Sequence, residues 1–371
     1  MEALAKYCIF CGEQPEEKTK EHVLPHWLIA LTGDPKRKAF FGISMSNGNS
    51  STQREFSFDA FTFPACSKCN HDYSDLEKNT KQTFEKMFNH EKVSPHDLSL
   101  LLDWFDKVRT GLWLGFNQLN QNVANIKPKF HITTRLGQYD RALFVAKADP
   151  AKNKLLTMGI SPFVFEFNPS AFTLAVNGFY FTNISYNFLF SKEIGFPYPR
   201  KSWVQPYEVY ESTTNINIGP GKNKVARPFL QFPVGLNCLE FYQPMFKGGL
   251  FDRIAKEYDC EYVRQNSLDF EKGVGAIFRR VGTKIIRCLN NEEVEIVPHE
   301  SYQDQTLYYK AAINTLKWQN YLFSIRADES LLTKEQQEFR DQIFSTVIQS
   351  NRVYMKKLDQ EFNELKNSKR K

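Results

Sequence analysis

Apolar residues recur along this chain with two different rhythms, and each predicts a different kind of structure. After Ser94-Pro95, Leu98, Leu101, Leu102, Phe105, Val108, Leu112 and Phe116 return at intervals of three and four. That spacing lines one side of an α-helix, and proline suits its first turn. Asn120–Pro128 lacks the pattern and reads as a linker. From Phe130 to about Val297 the rhythm is two. Phe163, Phe165 and Phe167 alternate with other residues, as do Phe172, Leu174 and Val176, and then Phe179 and Phe181 follow Asn177-Gly178. An Asn-Gly pair between alternating runs predicts a β-hairpin, because both residues accept positive φ. Gly195–Pro199 and Gly219–Gly221 add further turns to what reads as an antiparallel β or α+β region. From about Ser301 helical spacing returns, with Thr333 as a cap and Phe339, Ile343, Val347, Met355, Leu358, Phe362 and Leu365 on a loosely heptad stripe.

Residues 1–92 follow neither rhythm for long: they are turn-rich, bear Cys and His, and include a polar loop at Ser44–Gln53. The chain therefore divides into residues 1–92, a helical connector 93–128, a β-rich region 129–300 and a helical region 301–371, an α+β organisation. A length of 371 residues exceeds one ordinary core, and 42% hydrophobic with 24% charged residues is the balance of a soluble globular protein. No run approaches the roughly 20 apolar residues of a membrane helix, and Met1–Tyr7 lacks the apolar core of a signal peptide. A cytoplasmic protein with no membrane partner is expected. The net charge of +6 is uneven: residues 1–95 hold 12 Lys/Arg and 13 Asp/Glu, so the excess lies later in the chain. If a polyanion binds, the later region or a partner supplies most of the electrostatic grip.

Four of the seven cysteines form two C-x-x-C pairs, Cys8/Cys11 and Cys66/Cys69, whereas Cys238, Cys260 and Cys288 are scattered and read as apolar fillers. Two such pairs separated by a long insert are the spacing of a four-thiolate zinc site. With all four positions filled by sulfur, water has no place on the ion, so that zinc is expected to be structural. Between the pairs lies Glu21-His22-Val23-Leu24-Pro25, and Asn70 directly follows Cys69. Histidine suits the abstraction of a proton from water near neutral pH, and carboxylate and amide oxygens suit a hard divalent cation. Neighbours on a strand point to opposite sides, so Glu21 and His22 would serve different tasks.

At these residues the chain resembles the HNH (ββα-metal, His-Me finger) endonucleases, in their zinc-stapled four-cysteine branch. The shared pattern is C-x-x-C, then an acid followed by His and Pro, then C-x-x-C-N opening a helix, and it covers residues 8 to about 85. The run Cys69-Asn70 with Ser74, Leu76 and Glu77 further resembles a bacterial subgroup. The resemblance implies His22 as the general base, Glu21 and Asn70 as ligands of a catalytic Mg2+ or Mn2+, and the four cysteines as structural zinc ligands. It departs at Phe61–Ala65, where the family has an Asn that orients the base and this chain has none.

Other residues carry weaker signals. His26 reads as a supporting or structural residue, His71 as a metal or phosphate contact or an exposed helix position, and Ser74 and Glu77 share the helical face of Asn70. Lys36, Arg37 and Lys38 are candidate phosphate contacts, and Arg279, Arg280, Lys284 and Arg287 form a second basic cluster. The aromatic alternation from Phe163 to Tyr198 fits core packing better than base stacking. The expected function is a metal-dependent endonuclease, on DNA first with RNA left open. Its larger C-terminal part would control it through a protein partner or a small-molecule activator, a layout that fits antiviral defence. The alternative is a zinc-stapled adaptor for nucleic acid or protein that has lost catalysis.

Overall fold

A computed structural model describes residues 7–34, 36, 38–46, 50–57, 62–119, 131–150, 153–191, 193–207, 211–219, 236–246, 261–325 and 333–368. Among the described residues the fold is mixed α and β. The first elements are β1 (Lys18–His22), α1 (His26–Leu31), β2 (Lys38–Ser46), β3 (Ser50–Ser57), β4 (Thr62–Cys66), α2 (Ser67–Asp72) and α3 (Ser74–Phe88). Then come α4 (Pro95–Leu119), α5 (Ile132–Arg135), β5 (Asp140–Ala148), β6 (Leu155–Met158), α6 (Phe163–Phe167), β7 (Ala171–Val176), β8 (Phe179–Tyr186), β9 (Tyr198–Tyr207) and β10 (Glu211–Gly219). The chain continues through β11 (Leu239–Gln243), α7 (Glu261–Gln265), β12 (Ser267–Asp269), β13 (Val274–Gly275), β14 (Phe278–Val281), β15 (Lys284–Arg287) and β16 (Ser301–Tyr302). Two long helices follow, α8 (Asp304–Ser324) and α9 (Lys334–Ser368).

An eight-stranded sheet in the order β15-β14-β11-β5-β8-β7-β6 lies at the centre, with the short β16 beside β5. Alternation along its strands sorts side chains to two faces. Leu143, Val145, Phe172, Leu174, Val176, Phe179 and Phe181 join α4 and the N-terminal segment in one core. Their neighbours Ala142, Phe144, Ala146, Ala171, Ala175, Tyr180 and Ile184 join α8 in a second core. Both faces are therefore covered, which is why β7 and β8 read as near-continuous apolar runs. Asn177 and Gly178 adopt φ of 46° and 85° and close the β7–β8 hairpin, as their sequence predicts.

Phe163, Phe165 and Phe167 do not form the strand their alternation suggests. Pro162 opens a helical turn there, which buries Val164 and Phe165 and leaves Phe163 and Phe167 at 50% and 43% exposure. Five residues are too few for periodicity to separate a helix from a strand.

Residues 104–117 of α4 are buried without exception, so this helix is the middle of the core and packs on all sides. Aromatic rings weld the N-terminal segment to it. Phe84 of α3 lies 5.4 Å from Phe181 and 5.5 Å from Trp104, and Phe181 lies 5.5 Å from Phe105. Truncating one such ring to Ala costs about 3–5 kcal/mol. At the other end, Thr333 caps α9 reciprocally: the Gln336 N–H donates to Thr333 Oγ1 (3.2 Å) and the Thr333 N–H to Gln336 Oε1 (2.9 Å). Among the described residues no helix is long and apolar enough to cross a membrane.

Candidate metal centre

β1 and β4 pair antiparallel, with Lys18 opposite Cys66 and Glu21 opposite Phe63, and β4 runs directly into α2. This register delivers Cys66 and Cys69, at the end of β4 and in the first turn of α2, to the turn that holds Cys8 and Cys11. In that turn Gly12, at φ 79°, bends the chain back and donates its N–H to the Cys8 carbonyl (2.9 Å). All four sulfurs lie within 4.8 Å of one another, and Cys11 Sγ is 3.8 Å from Cys66 Sγ. A tetrahedral ion bound about 2.3 Å from each thiolate needs sulfurs about 3.8 Å apart. The four are thus close enough to hold one metal ion.

The electrostatics of the cluster ask for a cation. Burial pushes the Cys8 thiol up, but backbone N–H groups of Cys11, Cys66 and Phe10 outweigh it and hold it below the ordinary thiol range. The Cys66 N–H to Cys8 Sγ distance is 3.2 Å. Desolvation and the Cys8 and Cys11 sulfurs push Cys66 up to about 12, and desolvation with Cys8 raises Cys69 as well. Several thiolates this close repel unless a metal ion sits between them.

Directly beside this cluster lies a buried ion pair. Along β1, Lys18 and Lys20 are exposed, Thr19 is half-buried, Glu21 is buried and His22 is half-buried. The inward Glu21 Oε1 meets Lys107 Nζ of α4 at 2.6 Å, and the same ammonium donates to Glu77 of α3. Glu77 also accepts from Trp27 Nε1 (2.8 Å) and Trp104 Nε1 (3.1 Å). Phe10, between the first two cysteines, places its ring 5.8 Å from the Lys107 ammonium and stacks on Tyr73 at 4.4 Å. Burial alone would strip the Lys107 proton, but Glu77 and then Glu21 hold its pKa above the ordinary lysine range. Burial raises the Glu21 carboxyl above its usual range, Lys107 opposes that, and Glu77 adds to it. One ammonium faces two carboxyl groups.

The remaining candidates fall into place around these two groups. Asn70 Nδ2 donates to Thr19 Oγ1 (3.3 Å), and that hydroxyl donates to the Ala65 carbonyl (3.0 Å). Thr19 and Glu21 share the inward face of β1, one two-residue step of about 7 Å apart. Asn70 and Glu21 thus address the same face, with no hydrogen bond between them. His22 lies beyond Glu21 at the strand end, its ring 6.3 Å from that of the exposed His26. Ser74 Oγ bonds the His71 carbonyl (2.6 Å), and both residues are exposed.

Among the basic residues, Lys36 is exposed and its backbone N–H binds Asp34 Oδ1 (2.9 Å). Arg37 lies outside the described residues, as does the side chain of Lys38 at the start of β2. Arg279 is paired with Glu292 (2.5 Å), Arg280 with Glu240 (2.6 Å), and Arg287 bonds Asn290 (3.4 Å), so most of that cluster serves its neighbours. Cys288 is fully buried, Cys238 is half-buried, and Cys260 lies outside the described residues.

Lys107 is the participant that sequence reasoning passes over. Its signal is Asp103, Asp106, Lys107 and Arg109 interrupting an otherwise apolar helix. No protein-family model, curated protein or solved structure matches this chain.

Proposed function

We propose that the chain is a metal-dependent phosphodiester hydrolase of the HNH type, acting on DNA first, with a zinc ion in the four-cysteine cluster. The observation that carries this reading is the fixing of β1 against α2. Asn70 and Glu21 then address one face of the strand, and His22 follows Glu21 at the strand end. Four thiolates in tetrahedral spacing suit zinc, and a closed thiolate site fixes structure and leaves catalysis to other residues. The Glu21 carboxylate and the free lone pairs of the Asn70 carbonyl oxygen are hard donors of the kind that hold Mg2+ or Mn2+. Such an ion, when bound, polarises the scissile phosphate and stabilises the leaving oxygen. The chain's own part is then divided. Asn70 and Glu21 orient the phosphate side of the site. His22 takes a proton from the attacking water, a task imidazole suits. Lys107 fixes the buried Glu21 carboxylate on that face, and a divalent ion held there would compete with the ammonium for it.

A second reading has a specific observation behind it. Lys107 already pairs with Glu21, and Phe61–Ala65, just before the second C-x-x-C pair, holds no Asn, both of which suit a zinc-stapled adaptor without catalysis. Plasmid incubated with purified full-length protein and Mg2+ or Mn2+ separates the two. The nuclease reading expects nicking or linearisation by wild type and about 10²–10⁴-fold slower cleavage by His22→Ala, with stability unchanged to within about 0.5 kcal/mol. Equal cleavage by His22→Ala and wild type rejects His22 as the base, and no cleavage by either supports the adaptor.

A further inference from the structure

On the opposite flank of α4 from Lys107 a cavity of about 300 Å3 opens between the helix and the end of β8. Arg109 and Thr110 of α4, Arg135 of α5, Tyr139, the end of α6 with Phe167, and Ser185 and Tyr186 of β8 line it. Its volume sits at the lower end of the roughly 300–1,000 Å3 usual for small-molecule pockets. That is room for one small ligand and too little for a polymer.

The lining has three properties that point to one ligand chemistry. First, its lining is basic: Arg109 and Arg135 line it, and none of its described lining residues is acidic. Arg109 is braced behind by Asp106 (2.6 Å) and Asn183, while Arg135 lies flat on the Trp113 ring at 4.1 Å. Burial lowers the pKa of Arg135, Tyr139 opposes that and the like charge of Arg109 adds to it, and an anion between the two groups would relieve the repulsion. Second, the wall holds a buried hydroxyl with nothing to bind: Ser185 is 4% exposed and its Oγ has no hydrogen-bond partner. Buried polar atoms are rarely left so unless a water or ligand completes them. Third, the mouth is aromatic. Tyr139 and Phe167 are 38% and 43% exposed, beside Tyr186 and the amides of Asn168 and Asn187.

From this geometry we propose that the cavity binds a nucleoside monophosphate, with its phosphate between Arg109 and Arg135 and its base against Tyr139 and Phe167. Guanidinium forks match phosphate oxygens, aromatic faces accept a base by stacking, and the two amides supply hydrogen bonds to the base edge. Because α4 carries both Lys107 and Arg109, a ligand here leans on the helix that holds Glu21.

Calorimetric titration of the full-length protein with AMP, GMP, CMP and UMP tests the site, with adenosine and inorganic phosphate as controls. One-site binding of at least one monophosphate is expected, about tenfold or more tighter than either control, because each control keeps only half of the contacts. Arg135→Gln should weaken the monophosphate about tenfold or more while leaving adenosine unchanged. No binding of any monophosphate at millimolar concentration overturns the site. Phosphate binding as tightly as the monophosphates overturns the base contact, and adenosine doing so overturns the phosphate contact. Should Arg135→Gln melt early for want of its stack on Trp113, Tyr139→Ala decides: unchanged monophosphate affinity in that variant rejects the proposal.

Discussion

Two clusters of buried charge share the helix α4, and they differ in arithmetic. On one flank Arg141 of β5 is fully buried and bonds Asp103 (2.6 Å), Asp106 (3.1 Å) and Gln243 of β11 (2.9 Å), while Arg109 bonds Asp106 (2.6 Å) and Asn183 of β8. Two guanidiniums meet two carboxylates there, the charges cancel, and amide groups take up further donors. On the other flank Lys107 meets Glu21 and Glu77, two carboxylates for one ammonium. A balanced cluster works as a cross-brace between helix and sheet. An unbalanced one, beside four converging thiols, is a place where a further cation is welcome.

The largest expected effect separates the flanks by metal. Stripping the cysteine cluster with a chelator, or Cys66→Ser, removes an ion worth on the order of 10 kcal/mol to a small thiolate-held segment. Hydrogen exchange should then show protection lost in β1, β4 and α2 while β5 and β8 keep theirs. Loss spread evenly over both regions would break the comparison. Next in size are Lys107→Met and Arg141→Met, each expected to destabilise by about 3–5 kcal/mol because each deprives a buried carboxyl group of a partner, Glu21 in one case and Asp106 in the other. Mn2+ should raise the melting temperature of Lys107→Met and leave Arg141→Met unmoved. An equal Mn2+ response in the two variants erases the distinction.

The smallest effect concerns a buried ionisable group that belongs to neither cluster. His131 is 2% exposed, shares a small cavity with Tyr7, Ile9, Phe63 and Leu114, and its Nδ1 has no partner. Burial lowers its pKa from 6.5 to about 4. Between those values the unfolded chain binds a proton that the folded chain does not, so stability falls as the pH drops from about 6.5 to about 4, by about 3 kcal/mol from this residue. Urea unfolding across that range should show a shallower decline in His131→Phe. An unchanged slope would assign the acid sensitivity elsewhere.

Local patterns carried much of the architecture. The helix from Pro95, the Asn177-Gly178 hairpin, the Thr333 cap and the convergence of four cysteines all rest on nearest neighbours or on spacing that chemistry constrains tightly. Alternation misled at Phe163–Phe167, where a short apolar run fits both periods and Pro162 decides. It also understated the sheet, whose apolar residues serve two cores instead of one.

What the sequence alone determined is therefore the set of reactive types and their local frames: thiol pairs on tight turns, an acid and an imidazole side by side on a strand, and an amide on the helix that follows, although that helix starts at Ser67, before Asn70. Only the tertiary structure decided that Lys107, eighty-six positions after Glu21, would neutralise it, and that Arg109 and Arg135 would face one cavity. The reason is physical. A turn or a hairpin is fixed by torsions of adjacent residues, whereas an ion pair between distant segments exists only once a shared core has packed them together.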